Sequence, residues 1–574
     1  MNSDRFYLKK EAVDSFRVLY QILSFAKDNY PDKTAFRQPE GKADESSVTF
    51  SEFFNNTEAL RAALYSGGFK DKHIALLGET SFEWISAYLA ITGGVGVAVP
   101  IDKELPPETM AKQLEFAECD TMICSLRSLR KLKKVLPLYD GLKTVIVMKC
   151  ENREKTDGIE NARLYDELIE EGKRLLKEDA EKHLPSEIDA DKTCVIIFTS
   201  GTTGANKGVC LSNRNIMGTL RGCARLLHYP DVSFSVLPVN HSYELHAHIM
   251  SSMYCGTTVC INDDLKNLVK NIERFRPEMS CMVPVMLELL VKKLKKQIAE
   301  SGKEKAFYKM VKISGFLRKF GIDIRRRAFG EILSALGGRL RMIICGGAPL
   351  SQETVDFLSN IGIDVYNGYG ITECSPVVAV NPLCEIRKNS VGHILPTMEV
   401  RIDSPDENGN GEIQLFGDNV MKGYYKADED TSKVFTEDGW FRTGDIGYTD
   451  SDDFLYISGR LKNLIILPNG KNVFPEEIEE ALMKKIPCIK ECVVYADEEN
   501  TGIYALIYPD SDICAGSGAE TAGEIKEYIR PQLDAFNSEM PAYKRITDFF
   551  ITDKEFEKST THKIQRFKIA AVNK

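Results

Sequence analysis

At 574 residues the chain is several times longer than one ordinary hydrophobic core needs, which implies roughly three to five packing units and room for a deep substrate site. Hydrophobic residues at 43% and charged residues at 28% are ordinary for a globular protein and exclude collagen-like, low-complexity and disulfide-scaffold classes. The net charge of 74 minus 84, or -10, argues against a nucleic-acid binder that relies on overall basicity, because such proteins need positive potential to release phosphate counterions.

The opening MNSDRFYLKKEAVDSF carries charges throughout and lacks the apolar core of a secretory signal, so the expected location is the cytoplasm. Residues 51–66 and 82–93 read as amphipathic helices, and residues 74–77 and 97–101 as apolar strands. Such alternation favours a parallel α/β sheet. The longest apolar stretch, residues 87–101, is too short and too rich in glycine to span a bilayer. A polar break at 151–161 precedes Glu- and Lys-rich helical segments and a buried strand at 193–198. Between 399 and 417 two apolar runs flank the turn DSPDENGNG, the pattern of a β-hairpin in a β-rich subunit. From Pro475 the pattern resets to a helix at 476–485, strands at 492–495 and 503–508, a loop holding AGSGAE, a further helix and the strand DFFIT, which together suggest a small α+β domain. The 15 cysteines form no C-x-x-C pair; the nearest spacings are Cys119 to Cys124, Cys255 to Cys260 and Cys488 to Cys492, which fits reduced thiols in the cytoplasm.

The most informative loop follows the strand TCVIIF. It reads Thr199, Ser200, Gly201, Thr202, Thr203, Gly204, Ala205, Asn206, Lys207, Gly208, with a helical pattern from about Asn213. Three glycines let the backbone aim its N–H groups inward, four hydroxyls add donors and Lys207 adds a point charge, so the loop is equipped for a polyphosphate such as ATP or pyrophosphate. Its spacing excludes the P-loop of kinases and small GTPases: Asn206 stands where the second glycine belongs, and Gly208 replaces the metal-binding hydroxyl.

TSGTTGANKGV resembles the phosphate loop of the adenylate-forming (AMP-binding) superfamily, with Ala205-Asn206 in place of the usual small residue and proline. Five further segments resemble family motifs in the family's order: Gly346-Gly347-Ala348-Pro349-Leu350, Tyr366-Asn367-Gly368-Tyr369-Gly370-Ile371-Thr372-Glu373, Trp440-Phe441-Arg442-Thr443-Gly444-Asp445, Ser458-Gly459-Arg460-Leu461-Lys462 and Lys563-Ile564-Gln565-Arg566. The style of GYGITECSPVV and KNLIILPNGKNVFPEEIE is most like bacterial long-chain fatty acid–CoA ligases. The resemblance implies an α/β fold with a large N-terminal domain over residues 1–459, built from two α/β sheets plus a small β-barrel-like subdomain. It further implies a small mobile α+β domain over residues 460–574.

The resemblance also implies roles. Thr199 to Gly204 and Lys207 would hold the phosphates of ATP. Gly347, Ala348, Pro349, Asn367, Gly368 and Tyr369 would enclose the adenine, Asp445 would bind the ribose hydroxyls, and Arg460 would assist at the ribose or phosphate. Thr372 and Glu373 would lie beside the phosphates, with Glu373 holding Mg²⁺ through ATP. Lys563 would stabilise charge between the carboxylate and the α-phosphate, although Thr561-His562 replace the family's common Ser-Gly before it. Lys462 would be the hinge, and Gly470 would line the thiol tunnel. Read alone, Glu373 is an ordinary surface carboxylate and Asp445 a turn cap.

Leu237-Pro238-Val239-Asn240-His241-Ser242-Tyr243-Glu244 resembles the acyl-pocket motif, which puts His241 near the carboxylate end. His241, His246 and His248 match no zinc spacing and read as structural histidines near a pocket. The expected reaction is activation of a medium- to long-chain fatty acid with ATP and Mg²⁺, then transfer to coenzyme A. The alternatives are an acyl carrier protein acceptor, an aryl-CoA ligase, or a silent nucleotide-binding protein. The stretch bounded by Lys292 and Arg327 carries 13 Lys and Arg against 3 Asp and Glu. It reads either as a solvated helical face or as a weak peripheral contact with a membrane or a large acyl carrier.

Overall fold

The computed structural model describes the chain apart from residues 1–7, 9–10, 41–43, 151–152, 157–158, 160, 201–205, 469–470, 498, 559–563 and 570–574. Short apolar runs such as HIALL, VAVPI and TMICS build the first sheet, in which His73–Leu77 lies between Val97–Ile101 and Thr121–Ser125 and pairs parallel to both. Parallel neighbours need a crossover, and the helices Phe82–Ala90 and Pro107–Phe116 supply it. The helix expected over 82–93 stops at Ala90 and continues as a π-type turn, Ile91–Val95. Gly94 takes φ +95° there, a conformation open to glycine, and the chain reverses into the next strand. Thr193–Ser200 and Asn206–Ser212 form an antiparallel hairpin at the other end of this eight-stranded sheet, edged by Gly423–Tyr424.

A second sheet has thirteen strands. Its central strands, from Thr34–Glu40 through Met279–Met282 to Asp364–Gly370, are parallel, and from Val377–Val380 onward the pairing turns antiparallel. The hairpin expected at 399–417 is present as Met398–Asp403 against Gly411–Gly417. The barrel-like unit expected around it is corrected: among the described residues these strands are the open antiparallel end of the thirteen-stranded sheet, which continues through Phe441–Thr449 and Phe454–Arg460. The hairpin pairs on one side only, so the sheet does not close.

The helix Asn213–Leu226 lies buried in the apolar core shared by both sheets. Ser212 caps it by accepting from the Asn215 N–H, and the Asn215 amide donates to the carbonyls of Asp418 and Val420 at 2.8 Å each. The helix therefore fixes the 193–212 hairpin against the antiparallel strands. Downstream, Pro475–Lys485, Ile489–Ala496, Ile503–Pro509, Ala522–Glu539 and Asp548–Ile551 share a separate core that includes Ile478, Leu482, Ile529, Leu533 and Phe549. The loop expected at AGSGAE begins instead as the end of a short helix, Ser511–Gly516, because the Asp510 carboxylate caps the N–H groups of Asp512 and Ile513. No described helix is long and apolar enough to cross a membrane.

Candidate active site

One cavity of about 3480 Å³ gathers the motif residues. That is several times the size of an ordinary small-molecule pocket, which leaves room for a nucleotide and further substrates together.

On one wall Asp445 and Arg460 stand opposite each other on the adjacent strands Phe441–Thr449 and Phe454–Arg460. Asp445 is 3% exposed, and a carboxylate buried that deeply needs partners. Its Oδ1 lies 2.8 Å from Arg460 Nε, its Oδ2 accepts from the Tyr369 hydroxyl at 2.5 Å, and its own N–H donates to Thr443 Oγ1 at 2.9 Å. Burial first and the Asp445 charge second push the Tyr369 phenol far above its usual value, so it stays a donor. A buried carboxylate presents only acceptor oxygens, which is what the two hydroxyls of a vicinal diol need.

Tyr369 belongs to the strand Asp364–Gly370, and its neighbour Asn367 pairs in register with Cys345 at the end of Met342–Cys345. The turn after Cys345 carries Gly347 at φ +89°. A Cβ at Gly346 would stand 2.9 Å from the Gly368 carbonyl oxygen, so the two loops abut through bare backbone. Gly347, Ala348, Pro349, Asn367, Gly368 and Tyr369 all line the cavity.

Across the cavity Thr199 and Lys207 face each other at the mouth of the hairpin. Gly201, Thr202, Thr203 and Gly204, which carry the phosphate-loop expectation, lie outside the described residues; for Ser200 only the strand backbone is described. Lys207 Nζ sits 2.9 Å from Asp430 Oδ2 and 4.7 Å above the ring of Tyr424. The Tyr424 hydroxyl in turn donates to Glu373 Oε1 at 2.9 Å, and burial together with Glu373 raises its phenol well above the usual value. Among the described residues Glu373 Oε2 has no partner, and Thr372 lines the cavity beside it. A carboxylate lining the cavity is the kind of donor that holds Mg²⁺ jointly with phosphates and water.

His241 lines the same cavity, where burial lowers its basicity and the charge of Asp102 opposes that effect. His246 and His248 serve the fold. His246 Nε2 is 2.8 Å from the Tyr88 hydroxyl and its Nδ1 3.2 Å from the Ser375 carbonyl, while His248 Nδ1 is 2.9 Å from Glu244 Oε1. Both rings are fully buried on the π-helical turn Tyr243–Met250.

Lys462 also lines the cavity; desolvation first, then the charges of Arg460 and Arg566, lower its amine below the usual lysine range. Lys563 and Gly470 fall outside the described residues, but Ile564, Gln565 and Arg566, which follow Lys563, line the cavity. Arg566 is tied to Glu479 and donates to the Val494 carbonyl at 3.1 Å.

Three residues with clear contacts escaped the sequence reading: Tyr424, Asp430 and Asp102. Tyr424 and Asp430 lie in GYYKADED, an aromatic pair before an acidic run, and no spacing rule connects that segment to Lys207 more than two hundred residues earlier.

Comparison with known proteins agrees with this geometry. The family model described as AMP-binding enzyme matches residues 24–425, and the one described as AMP-binding enzyme C-terminal domain matches residues 462–572. The chain is 28% identical over 486 residues to the long-chain-fatty-acid–CoA ligase ACSBG1 of Macaca fascicularis, covering 80% of this chain and 66% of that protein. It is 28% identical over 559 residues to fatty acyl-CoA synthetase B of Dictyostelium discoideum, covering 90% of this chain and 81% of the relative. The chain thus spans about two thirds of the length of the mammalian relative. Among solved structures, the adenylation domain of a carboxylate reductase from Mycobacterium chelonae aligns with a TM-score of 0.75 at 21% identity, covering 99% of this chain and 92% of that one. The o-succinylbenzoate CoA synthetase of Bacillus subtilis, solved with its acyl-adenylate intermediate, aligns at 0.67 and 22%, covering 95% and 97%. These two likenesses concern the fold.

Proposed function

We propose, from the premise that this chain belongs to the AMP-binding enzyme family, that it activates a medium- to long-chain fatty acid with ATP and transfers the acyl group to coenzyme A. The acid's carboxylate oxygen attacks the α-phosphorus, the bond from that phosphorus to the bridging oxygen breaks, and pyrophosphate leaves. The CoA sulfur then attacks the acyl carbon of the adenylate, AMP leaves, and the thiol proton passes to solvent. The observation that carries the reading is the buried Asp445, held by Tyr369 and Arg460 in the same cavity as Glu373 and Lys207.

Each residue has a part in this reading. Asp445 accepts from the two ribose hydroxyls, with Arg460 and Tyr369 holding its carboxylate in place. The part of the cavity lined by Gly347–Pro349 and Asn367–Tyr369 takes the adenine. The hairpin loop from Thr199 to Gly204 and Lys207 hold the phosphates, Thr372 lies beside them, and Glu373 would hold Mg²⁺ through ATP, which would supply charge neutralisation between the phosphates when bound. Two anions approach one another only where fixed positive charge and oriented dipoles stabilise the transition state, and Lys563 adds that charge at the reacting oxygen. His241, whose basicity burial lowers against the opposing charge of Asp102, borders the carboxylate.

Residues 460–574 act in this reading as a lid that turns on Lys462 between the two half-reactions, presenting Lys563 first and the loop at Gly470 second. The separate apolar core between Ile465 and Phe549 supports a rigid unit of that extent. The setting is cytoplasmic, a reading supported by fifteen free cysteines.

The test is pyrophosphate release from ATP and Mg²⁺ across fatty acids of graded length, benzoate and amino acids, each with and without CoA. Release that requires a fatty acid and accelerates with CoA is the expected result. Release that stalls with CoA and resumes with acyl carrier protein replaces the acceptor, release with benzoate alone replaces the acid, and none with any acid removes the reading.

A further inference from the structure

Tyr424 stands between two groups that the nucleotide reading gives to separate tasks. The centre of its ring is 4.7 Å from Lys207 Nζ, and its hydroxyl donates to Glu373 Oε1 at 2.9 Å. The residue lines the cavity and is 8% exposed. Lys207 belongs to the strand Asn206–Ser212, whereas Glu373 sits on the short 3₁₀ turn Thr372–Cys374, more than a hundred and fifty residues later. One side chain therefore touches both.

The backbone around Tyr424 joins the same two places. The Met421 N–H donates to the Glu373 carbonyl at 2.8 Å, the Lys422 N–H to the Cys210 carbonyl at 3.0 Å and the Tyr425 N–H to the Gly208 carbonyl at 2.7 Å. Gly423–Tyr424 pairs antiparallel with Val209 and Cys210, so residues 421–425 form a strap from the turn to the hairpin. The strap has little freedom to slide. The Tyr424 N–H donates to Thr431 Oγ1 at 2.9 Å, and a Cβ at Gly423 would stand 2.8 Å from Thr431 Cγ2.

Packing alone would be served by phenylalanine here. A buried phenol oxygen has to be matched by a partner, and its partner is the carboxylate assigned to the metal. The ring acts differently on Lys207: an aromatic face attracts an ammonium without accepting a directed N–H bond, so this contact holds the lysine without competing for its donors as Asp430 does. Placement of this kind matters because a displacement of about 1 Å among groups that grip a reacting substrate costs about a hundredfold in rate.

We propose that Tyr424 is a positioning residue that fixes the separation of Lys207 and Glu373, so that the ammonium meets the phosphates and the carboxylate meets the magnesium ion of one bound Mg²⁺–ATP. The proposal rests on the nucleotide-site reading above and is independent of which acid or thiol is used.

Calorimetric titration of ATP into the full chain, once in magnesium chloride and once in EDTA, tests it without turnover. Tyr424→Phe keeps the ring and is expected to bind metal-free ATP like the parent while losing about tenfold in affinity when magnesium is present. Tyr424→Leu removes the ring as well and is expected to lose several-fold in both buffers. Adding Tyr424→Phe to Glu373→Gln is expected to cost nothing beyond Glu373→Gln alone, because the hydroxyl acts through the carboxylate. A Tyr424→Phe protein that binds like the parent in both buffers overturns the proposal, as does one that loses equally in both or whose loss adds fully to that of Glu373→Gln. A Tyr424→Leu protein that binds metal-free ATP like the parent overturns the ring's hold on Lys207. A parent that binds no ATP in either buffer removes the nucleotide reading and the proposal with it; every other adverse result counts against the proposal alone.

Discussion

Lys207 Nζ lies 2.9 Å from Asp430 Oδ2, so the cation assigned to the nucleotide phosphates already has an anionic partner on the helix Asp428–Val434. Phosphate and Asp430 compete for the same ammonium. A partly exposed pair of this kind is weak and solvent-screened, which caps the competition at roughly fivefold in affinity. Asp430→Asn is expected to tighten ATP binding by up to that factor, and Lys207→Met to weaken it by much more. Titration of ATP into both variants checks this; an Asp430→Asn protein that binds ATP more weakly than the parent would show that the aspartate assists the phosphate site.

Asp445 makes a sharper prediction because it is buried and held on both oxygens. Asp445→Ala removes the acceptor and leaves Arg460 and Tyr369 facing an empty space, with an expected fall in kcat/KM for ATP of about a hundredfold or more. Tyr369→Phe removes one donor and is expected to cost about tenfold. Steady-state pyrophosphate release measures both, and a Tyr369→Phe protein impaired as badly as Asp445→Ala would mean that the phenol does more than hold the carboxylate.

What could be read in advance follows from how local each signal is. The strand at 193–198 and the helical pattern from about Asn213 are written in consecutive residues and both form, whereas the returning strand Asn206–Ser212, which makes the loop a hairpin, has no such local signal. The Lys207–Asp430 pair, the Tyr424–Glu373 hydrogen bond and the Arg566–Glu479 pair join segments that only the fold brings together. No periodicity encodes such contacts. The π-type turns at Ile91–Val95 and Tyr243–Met250 were equally invisible, since a single extra residue in a helical turn hardly alters the apolar spacing. That the large sheet ends open rather than as a barrel is not written locally either, because a hairpin's sequence states its own pairing and leaves closure to its neighbours.

Packing in the first sheet's outer layer gives a prediction free of any functional reading. Where the helix Tyr165–His183 crosses Phe50–Ser66, a Cβ at Gly172 would stand 1.7 Å from the Ala59 carbonyl oxygen, a backbone atom with nowhere to move. Gly172→Ala must force the helices apart, at a cost of about 1–3 kcal/mol or more. The expected result is a melting temperature several degrees below the parent, and equal melting would mean that the two helices are not in such close contact.

His246 ties the π-type turn Tyr243–Met250 to the GYGITECSP segment through the Ser375 carbonyl, and its tautomer follows from its partners. A carbonyl can only accept, so Nδ1 carries the proton and donates to Ser375, which leaves Nε2 to accept from the Tyr88 hydroxyl. A second ring proton would have to be buried without an anion, and desolvation accordingly lowers the folded value from 6.5 to about 4, with the Ser375 hydrogen bond opposing. Between these values the unfolded chain binds the proton and the folded one does not, so this residue's contribution to stability is fully present above pH 6.5 and is lost as the pH falls through about 4. His246→Gln removes the titration along with the ring. Its melting temperature is expected to be lower than the parent's near neutrality and to fall less steeply on acidification across that window; a variant whose melting follows the parent's pH dependence unchanged would mean that His246 titrates alike in both states.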